Sequence, residues 1–411
     1  MQHRGSGRSW LVVLTLALAA CGSDGSSGGP SASPTPAPTT TSLPSPAATQ
    51  TPIAGAGIEP MLLLEPGTFA SAYATGVNAR GWISIHHVQS GGPMIVLPPD
   101  AGPGAGDPPV PGCPVGAASP ACARGGVEGI RVGESDWYVG DMLPRPRATP
   151  LPTAFGADGE VAPLVPCCDP TGILVGETLP VPGGRFLGKS LRPVPGRPGY
   201  QTVVPVLWRA PGTTWEPLPT DGYAAGTGAL AADAAGRIAG QGVPDGAPAG
   251  QFVPLLWAPR DESFEIVRLP LLDGGVTGSA VAIDTRQIAG SSDGASGTKP
   301  VVWEATPEDG WRVRELPIAE SFRTCTVVAT SGDRIAGNCA LASLRERAVV
   351  WRRAADGWRI ETLLNAPGGI DSAYANAMSG DLVVGVAGNV GGAGTAAGPV
   401  AWRLPREDVS P

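Results

Sequence analysis

The chain has 411 residues, with 28 Lys and Arg against 36 Asp and Glu and a net charge of −8. Only Lys189 and Lys299 are lysines and no basic run exists, so nucleic acid and anionic lipid headgroups, which need clustered positive charge, are poor partners and no nucleic acid is expected. With 60 Gly, 46 Pro and 42% hydrophobic residues, the composition fits a turn-rich all-β domain better than a helical one.

Residues 1–20 read as a leader. Arg4 and Arg8 precede the uncharged run Trp10–Ala20, which is too short to span a bilayer, since that takes about 20 residues. The run ends in Leu18-Ala-Ala-Cys21, which resembles the bacterial lipobox: an aliphatic residue, two small ones, then the cysteine that is lipidated and becomes the new N-terminus. The resemblance implies a palmitate-bearing lipoprotein, exported and anchored to the membrane through Cys21. Gly22 in place of Asp implies the outer membrane in a two-membrane bacterium, facing periplasm or exterior. Residues 21–56 are otherwise almost wholly Gly, Ser, Pro, Thr and Ala; they cannot bury enough apolar surface to order themselves and read as a tether.

From 57 to 405 the chain repeats itself, and 406–411 is a tail. Short strands ending in "IAG" or its like close at Gly176, Gly240, Gly290, Gly337 and Gly385. Each is followed by an apolar run ending in tryptophan, at Trp208, Trp257, Trp303, Trp351 and Trp402. Two markers keeping one period of about 50 residues define a structural repeat. Unit 278–317 shows the pattern: "SAVAI", a turn at Asp284–Arg286, "QIAGS", the loop "SDGASGT", "PVVWEA", the turn "TPEDG", and "WRVRELP". Four short strands per unit, repeated radially, predict a β-propeller. Ala- and Gly-rich first strands fit a narrow axis, and the tryptophans fit the gaps between sheets.

Seven units of about 50 residues fill 57–405. They fall near Gly81, around 130–143, at 161–218, 228–270, 278–317, 325–365 and 373–404; six or eight remain open because the first two are eroded. "DSAYANAMSGD" is rich in Ala but sits in strand register. The last unit stops at "VAWRLP", one strand short, while "MLLLEPG" at 61–67 looks like a stray fourth strand. It would complete the last blade and remove the open edges of the ring.

The hairpin "A-x-x-[ND]-x-x-G-x-I-x-G" followed by a Trp-terminated run resembles the extracellular HAF-repeat proteins of bacteria, well over 161–403 and weakly over 70–143. The namesake His-Ala-Phe is here "VPV", "VPL", "KPV", "RAV" or "GPV", so the histidine is missing. The resemblance implies a fold and an extracellular place, not a reaction.

Beyond Cys21, six cysteines remain, an even number that suggests disulfides in an exported chain. Cys325 and Cys339 flank a turn centred on Gly332, which sets them opposite each other on a hairpin. Cys113–Cys122 would clip a loop, and Cys167 and Cys168 would form a vicinal pair or bridge to that loop. No CxxC or nearby His supports a metal site. His86 and His87 are adjacent on a strand and point to opposite faces. Asp169, Asp233 and Asp284, with Asn78, recur at the first turn of the units; hydrogen bonds to turn backbone explain them, and a ring of acids binding a cation is the weaker alternative. The Gly-rich run 291–298 opens no helix and is a poor phosphate cradle. Long inserts at 97–127 and 178–201 should crowd one region of the rim.

The expected function is a binding module, without cofactor or metal, for a protein or glycan at that rim. The alternative is a hydrolase or lyase acting on a sugar or lactone, which requires acids converging at the central channel. A third reading, a scaffold subunit, requires a large exposed apolar patch.

Overall fold

In the computed structural model the described residues are 58–63, 72–87, 95–97, 127–132, 137–142, 151–156, 161–163, 179–182, 184–193, 201–209, 214–223, 227–248, 250–306, 310–343, 345–367, 370, 372–388 and 398–405. They form seven antiparallel sheets arranged as the blades of an all-β propeller. Blade 1 comprises Ala72–Val77, Ile83–His87 and Ile95–Leu97; blade 2 comprises Val127–Val132, Trp137–Met142, Leu151–Gly156 and Val161–Pro163. Blade 3 runs Leu179–Val181, Arg185–Pro193, Gln201–Arg209 and Thr214–Pro217; blade 4 runs Gly228–Ala232, Ile238–Gly242, Val253–Arg260 and Ser263–Arg268. Blade 5 is Gly278–Ile283, Gln287–Gly294, Gly297–Thr306 and Gly310–Glu315; blade 6 is Phe322–Ser331, Arg334–Leu341, Glu346–Ala354 and Gly357–Leu364. Blade 7 is Ser372–Ser379, Leu382–Gly388 and Gly398–Arg403, and its outer strand is Met61–Leu62 from the other end of the domain. Met61 pairs with Ala401 and Leu62 with Val400, so the ring is closed by an N-terminal strand.

The two sequence markers have one physical cause. In blade 4 Ile238 pairs with Trp257 and Gly240 with Leu255; in blade 6 Ile335 pairs with Trp351 and Gly337 with Val349. A Cβ on Gly240 would lie 2.9 Å from the Trp257 ring and would collide with the Gly228 carbonyl. One on Gly337 would lie 2.6 Å from the Trp351 ring and collide with the Thr326 carbonyl. Gly290 and Gly385 likewise leave no room for a Cβ, which would collide with the Ser279 and Tyr374 carbonyls, so the glycine is required in each of blades 4 to 7 and keeps period with the tryptophan.

Trp208, Trp257, Trp303, Trp351 and Trp402 are all fully buried. Four of them donate Nε1–H to a carbonyl that follows the outer strand of the preceding blade: Trp257 to Pro219 at 2.9 Å, Trp303 to Pro270 at 2.6 Å, Trp351 to Pro317 at 2.8 Å and Trp402 to Asn365 at 2.8 Å. The apolar clusters accordingly span neighbouring blades: Leu207 and Leu218 of blade 3 share one with Ile238 and Trp257 of blade 4, and Val350 and Leu364 of blade 6 share another with Val383 and Trp402 of blade 7. Truncating such a tryptophan to Ala costs about 3–5 kcal/mol.

Four sequence expectations are corrected. Residues 178–201 are not wholly an insert, because Leu179–Val181 and Arg185–Pro193 are the two inner strands of blade 3. Phe186 pairs with Trp208 and Gly188 with Val206, so the marker glycine of blade 3 is Gly188 rather than Gly176. Lys189 and the arginines of this strand disguise an apolar pattern that the buried Phe186 and Leu187 maintain. Residues 161–163, read as the start of the third unit, are instead the outer strand of blade 2. Finally, "SDGASGT" is not a loop: Asp293 pairs with Thr298 and Gly294 with Gly297, leaving a two-residue turn whose exit is Gly297 at a φ of 95°. Within "DSAYANAMSGD", Ser372–Ser379 is strand, as its register requires.

Candidate functional site

The first strand of five blades carries a register shift at the same place: Ala74/Gly76, Ala229/Ala231, Ala280/Ala282, Val327/Ala329 and Ala375/Ala377. Each shift leaves one unpaired residue, and these five, Thr75, Leu230, Val281, Val328 and Asn376, all line a central channel of about 240 Å³. Its polar groups are already engaged. Thr75 Oγ1 lies 2.9 Å from Ser84 Oγ, and Asn376 Nδ2 donates to the Ala74 carbonyl at 2.8 Å, tying blade 7 to blade 1. Among the described lining residues there is neither a carboxylate nor a histidine. Among the described residues no group of three His, Cys, Asp or Glu is placed to hold a metal.

The turn acids are spent on structure. Asp233 is buried; its Oδ1 accepts the Arg237 backbone N–H at 2.9 Å and its Oδ2 accepts Arg237 Nε–H at 2.8 Å. Arg237 Nη2 continues to the Asp284 carbonyl of blade 5 at 2.8 Å. Asp284 Oδ1 accepts the backbone N–H groups of Arg286 and Gln287 at 2.8 and 3.1 Å, and Oδ2 accepts from Thr330 of blade 6 at 3.2 Å. Asn78 does the same work in blade 1, taking the Arg80 and Trp82 N–H groups at 3.1 and 3.0 Å. These side chains do not converge on a ligand position; Asn78 and Asp233 hold their own hairpins, and Arg237–Asp284 and Asp284–Thr330 tie blade 4 to blade 5 and blade 5 to blade 6. Asp169 lies outside the described residues, and the first hairpin of blade 3 instead turns between Val181 and Arg185.

Cys325 and Cys339 are directly opposite in register on the inner strands of blade 6 and joined by a disulfide that packs in the apolar cluster shared with blade 5. Cys21, Cys113, Cys122, Cys167 and Cys168 lie outside the described residues, as do the side chains of His86 and His87.

Sequence reading missed a second aromatic repeat. The second residue of the outer strand is Trp215, Phe264, Trp311 and Trp358 in blades 3 to 6. Unlike the buried set, these are at least partly exposed, and Phe264 and Trp311 line grooves between blades. Trp358 Nε1 donates to Glu304 of blade 5 at 3.3 Å, and the Arg237 guanidinium of blade 4 is 6.0 Å from the Trp311 ring centroid. The signal was available: each aromatic follows a Gly, Ser or Thr that leaves the third turn of its unit.

Two of these grooves enclose sizeable volumes. Between blades 4 and 5 about 620 Å³ is lined by Arg268, Leu271, Leu272, Asp273, Gly275 and Trp311. Between blades 3 and 4 about 390 Å³ is lined by Arg185, Arg209, Glu216, Asp261, Glu262 and Phe264 among others. The first offers a partly buried indole with a cation and a carboxylate nearby; the second offers two guanidinium groups.

No protein-family profile matches the chain, and no curated protein matches it. Solved structures do. A structure from a study of two prolyl endopeptidases superposes with a TM-score of 0.54 at 14% identity, over 80% of this chain and 46% of that one. Prolyl oligopeptidase B from Galerina marginata gives 0.53 at 11% identity, over 84% of this chain and 50% of that one. The chain therefore matches about half the length of each enzyme, and at this identity the likeness concerns the fold alone.

Proposed function

We propose that the protein is a lipid-anchored propeller of the bacterial cell envelope that works as a binding module, taking a glycan at the rim groove between blades 4 and 5. The observation that carries this reading is the contrast between the channel and the groove. The described channel lining has no charged side chain and its Thr75 and Asn376 are hydrogen-bonded within the protein, whereas the groove is larger and is lined by a partly buried Trp311 together with Arg268 and Asp273. A flat indole face accepts the apolar face of a sugar ring, and a cation and a carboxylate at its edge orient hydroxyl groups. The export signal, the Cys21 lipid anchor, the tether at 21–56 and the HAF-repeat resemblance belong to the same proposal; they rest on the lipobox pattern, the composition and the hairpin-plus-Trp repeat. The Cys325–Cys339 disulfide supports an oxidising compartment.

The test is a glycan panel titrated against the purified protein with indole fluorescence as readout. A saturable quench that Trp311→Ala removes while leaving the fold intact supports the proposal. Binding only to a protein partner, undiminished in Trp311→Ala, would replace the glycan reading by a protein-interaction one.

A further inference from the structure

A second groove, between blades 3 and 4, carries an inference that stands without the glycan reading. Arg185 and Arg209 lie directly opposite each other on the two central strands of blade 3. Like charges in that relation destabilise a sheet unless something neutral or negative joins them. Arg185 Nε donates to the Pro182 carbonyl at 3.0 Å, but among the described residues neither guanidinium has a carboxylate within ion-pair distance. Burial first, and then the charge of Arg209, push the Arg185 guanidinium below its ordinary value, with Asp233 and Glu216 acting in the opposite sense.

Blade 6 contains the same pair, completed. Arg334 and Arg352 occupy the equivalent places, one preceding the residue paired with the buried tryptophan and the other following the tryptophan itself. There Glu361 takes both Arg334 Nε and Nη2 at 2.9 Å and lies 3.7 Å from Arg352 Nη1, while Asp333 lies 3.1 Å from Arg352 Nε. Glu361 reaches the pair because the outer strand of blade 6 shifts register between Val350 and Trp351. Blade 3 has no such shift: Trp215 pairs with Trp208 and Glu216 with Leu207, so Glu216, the counterpart of Glu361, lines the groove outside ion-pair distance of both guanidinium groups. The groove in front of the unfilled pair has about 390 Å³ of space.

We infer that the Arg185–Arg209 pair is a binding site for a ligand carboxylate, which takes the place that Glu361 fills in blade 6. Paired guanidinium groups bind a carboxylate through charge-assisted, bidentate hydrogen bonds. Glu216, Asp261 and Glu262 line the rest of the groove, so the ligand carries one carboxylate and a body of hydrogen-bond donors rather than a second negative charge. Two sources share that chemistry: a uronic acid sugar, or an amino acid or peptide C-terminus.

The experiment is calorimetric titration of the full chain at low ionic strength with D-glucuronate, with glycylglycine and with succinate, on the native protein and on Arg209→Gln, Arg185→Gln and Arg286→Gln. The expected result is saturable binding of at least one of the first two, weaker binding of the dianion succinate, a loss of about tenfold or more in Arg209→Gln and Arg185→Gln, and none in the exposed control Arg286→Gln. Preference for glucuronate or for glycylglycine names the source. No binding of either, succinate binding best, or equal loss in the control would overturn the inference. The melting temperature without ligand guards against a folding artefact. Arg209→Gln should melt at or above the native temperature, since it relieves an unfilled like-charge pair, and a lower value would mean that Arg209 already has a structural partner.

Discussion

Leu63 donates its backbone N–H to the carbonyl of Pro399 at 3.1 Å. The same bond joins Leu218 to Pro205, Leu269 to Pro254 and Leu316 to Pro300, at 2.9, 3.0 and 2.9 Å. In each case a buried leucine follows the outer strand and bonds a proline three residues before the buried tryptophan. Leu63, from the start of the domain, is thus the fourth-strand leucine of blade 7. Proline suits the acceptor position because only its carbonyl is needed there. Leu63→Ala is expected to lower the unfolding free energy by about 3 kcal/mol, as a core truncation does, and to expose the amides of Gly398–Arg403 to hydrogen exchange. Denaturant titration with exchange readout checks both.

Glycine substitutions should separate two kinds of need. Gly337 faces the Trp351 ring and the Thr326 carbonyl, whereas Gly332 sits at a φ of 65° in open space. Gly337→Ala should cost about 3 kcal/mol, near the upper end of overpacking effects, and Gly332→Ala only about 1 kcal/mol of backbone strain. Equal costs, measured by denaturant titration, would contradict the explanation given for the repeat.

The turn acids should behave as structural residues. Asp233→Asn leaves the Arg237 guanidinium without its buried counter-charge and should cost about 3 kcal/mol. Asp284→Asn keeps the oxygen that caps its turn and should cost under about 1 kcal/mol. Asp284→Asn should leave binding at the groove of Trp311 unchanged, which the glycan titration can verify.

One half-buried carboxylate gives a pH signature. Burial raises the pKa of Glu346, and its charge in turn raises that of Tyr374, after the effect of burial on the phenol. Because the folded value of Glu346 exceeds the unfolded one, its penalty is absent below the unfolded pKa and appears as pH rises through the folded pKa. Glu346→Gln should therefore be more stable than the native protein at neutral pH and gain nothing near pH 3, about a unit below the unfolded glutamate value. Thermal denaturation at the two pH values tests the sign.

The repeat was legible because its markers answer to sterics that blades 4 to 7 share: the glycine lies against a first-strand carbonyl, with the tryptophan ring beside it in blades 4 and 6, and both markers recur in the sequence. Closure was legible because a strand was missing at one end and spare at the other. Blade 3 was misread for the converse reason. Its second strand keeps the pattern through Phe186 and Gly188 but places Arg185, Lys189 and Arg192 around them, and a glycine elsewhere offered a better match. The two-residue turn at Ala295–Ser296 was hidden by polar residues that pair across strands as readily as apolar ones. The grooves were not legible, since they are made by side chains of different blades: nothing local marks that Arg185 lacks the carboxylate that Arg334 finds in Glu361.

The most direct measurement is a crystal structure of the protein with the best-binding glycan from the panel. The proposed function predicts a sugar ring stacked on Trp311, with hydroxyl groups toward Arg268 and Asp273. A ligand seated instead in the central channel, against Thr75, Val281 and Asn376, would contradict it.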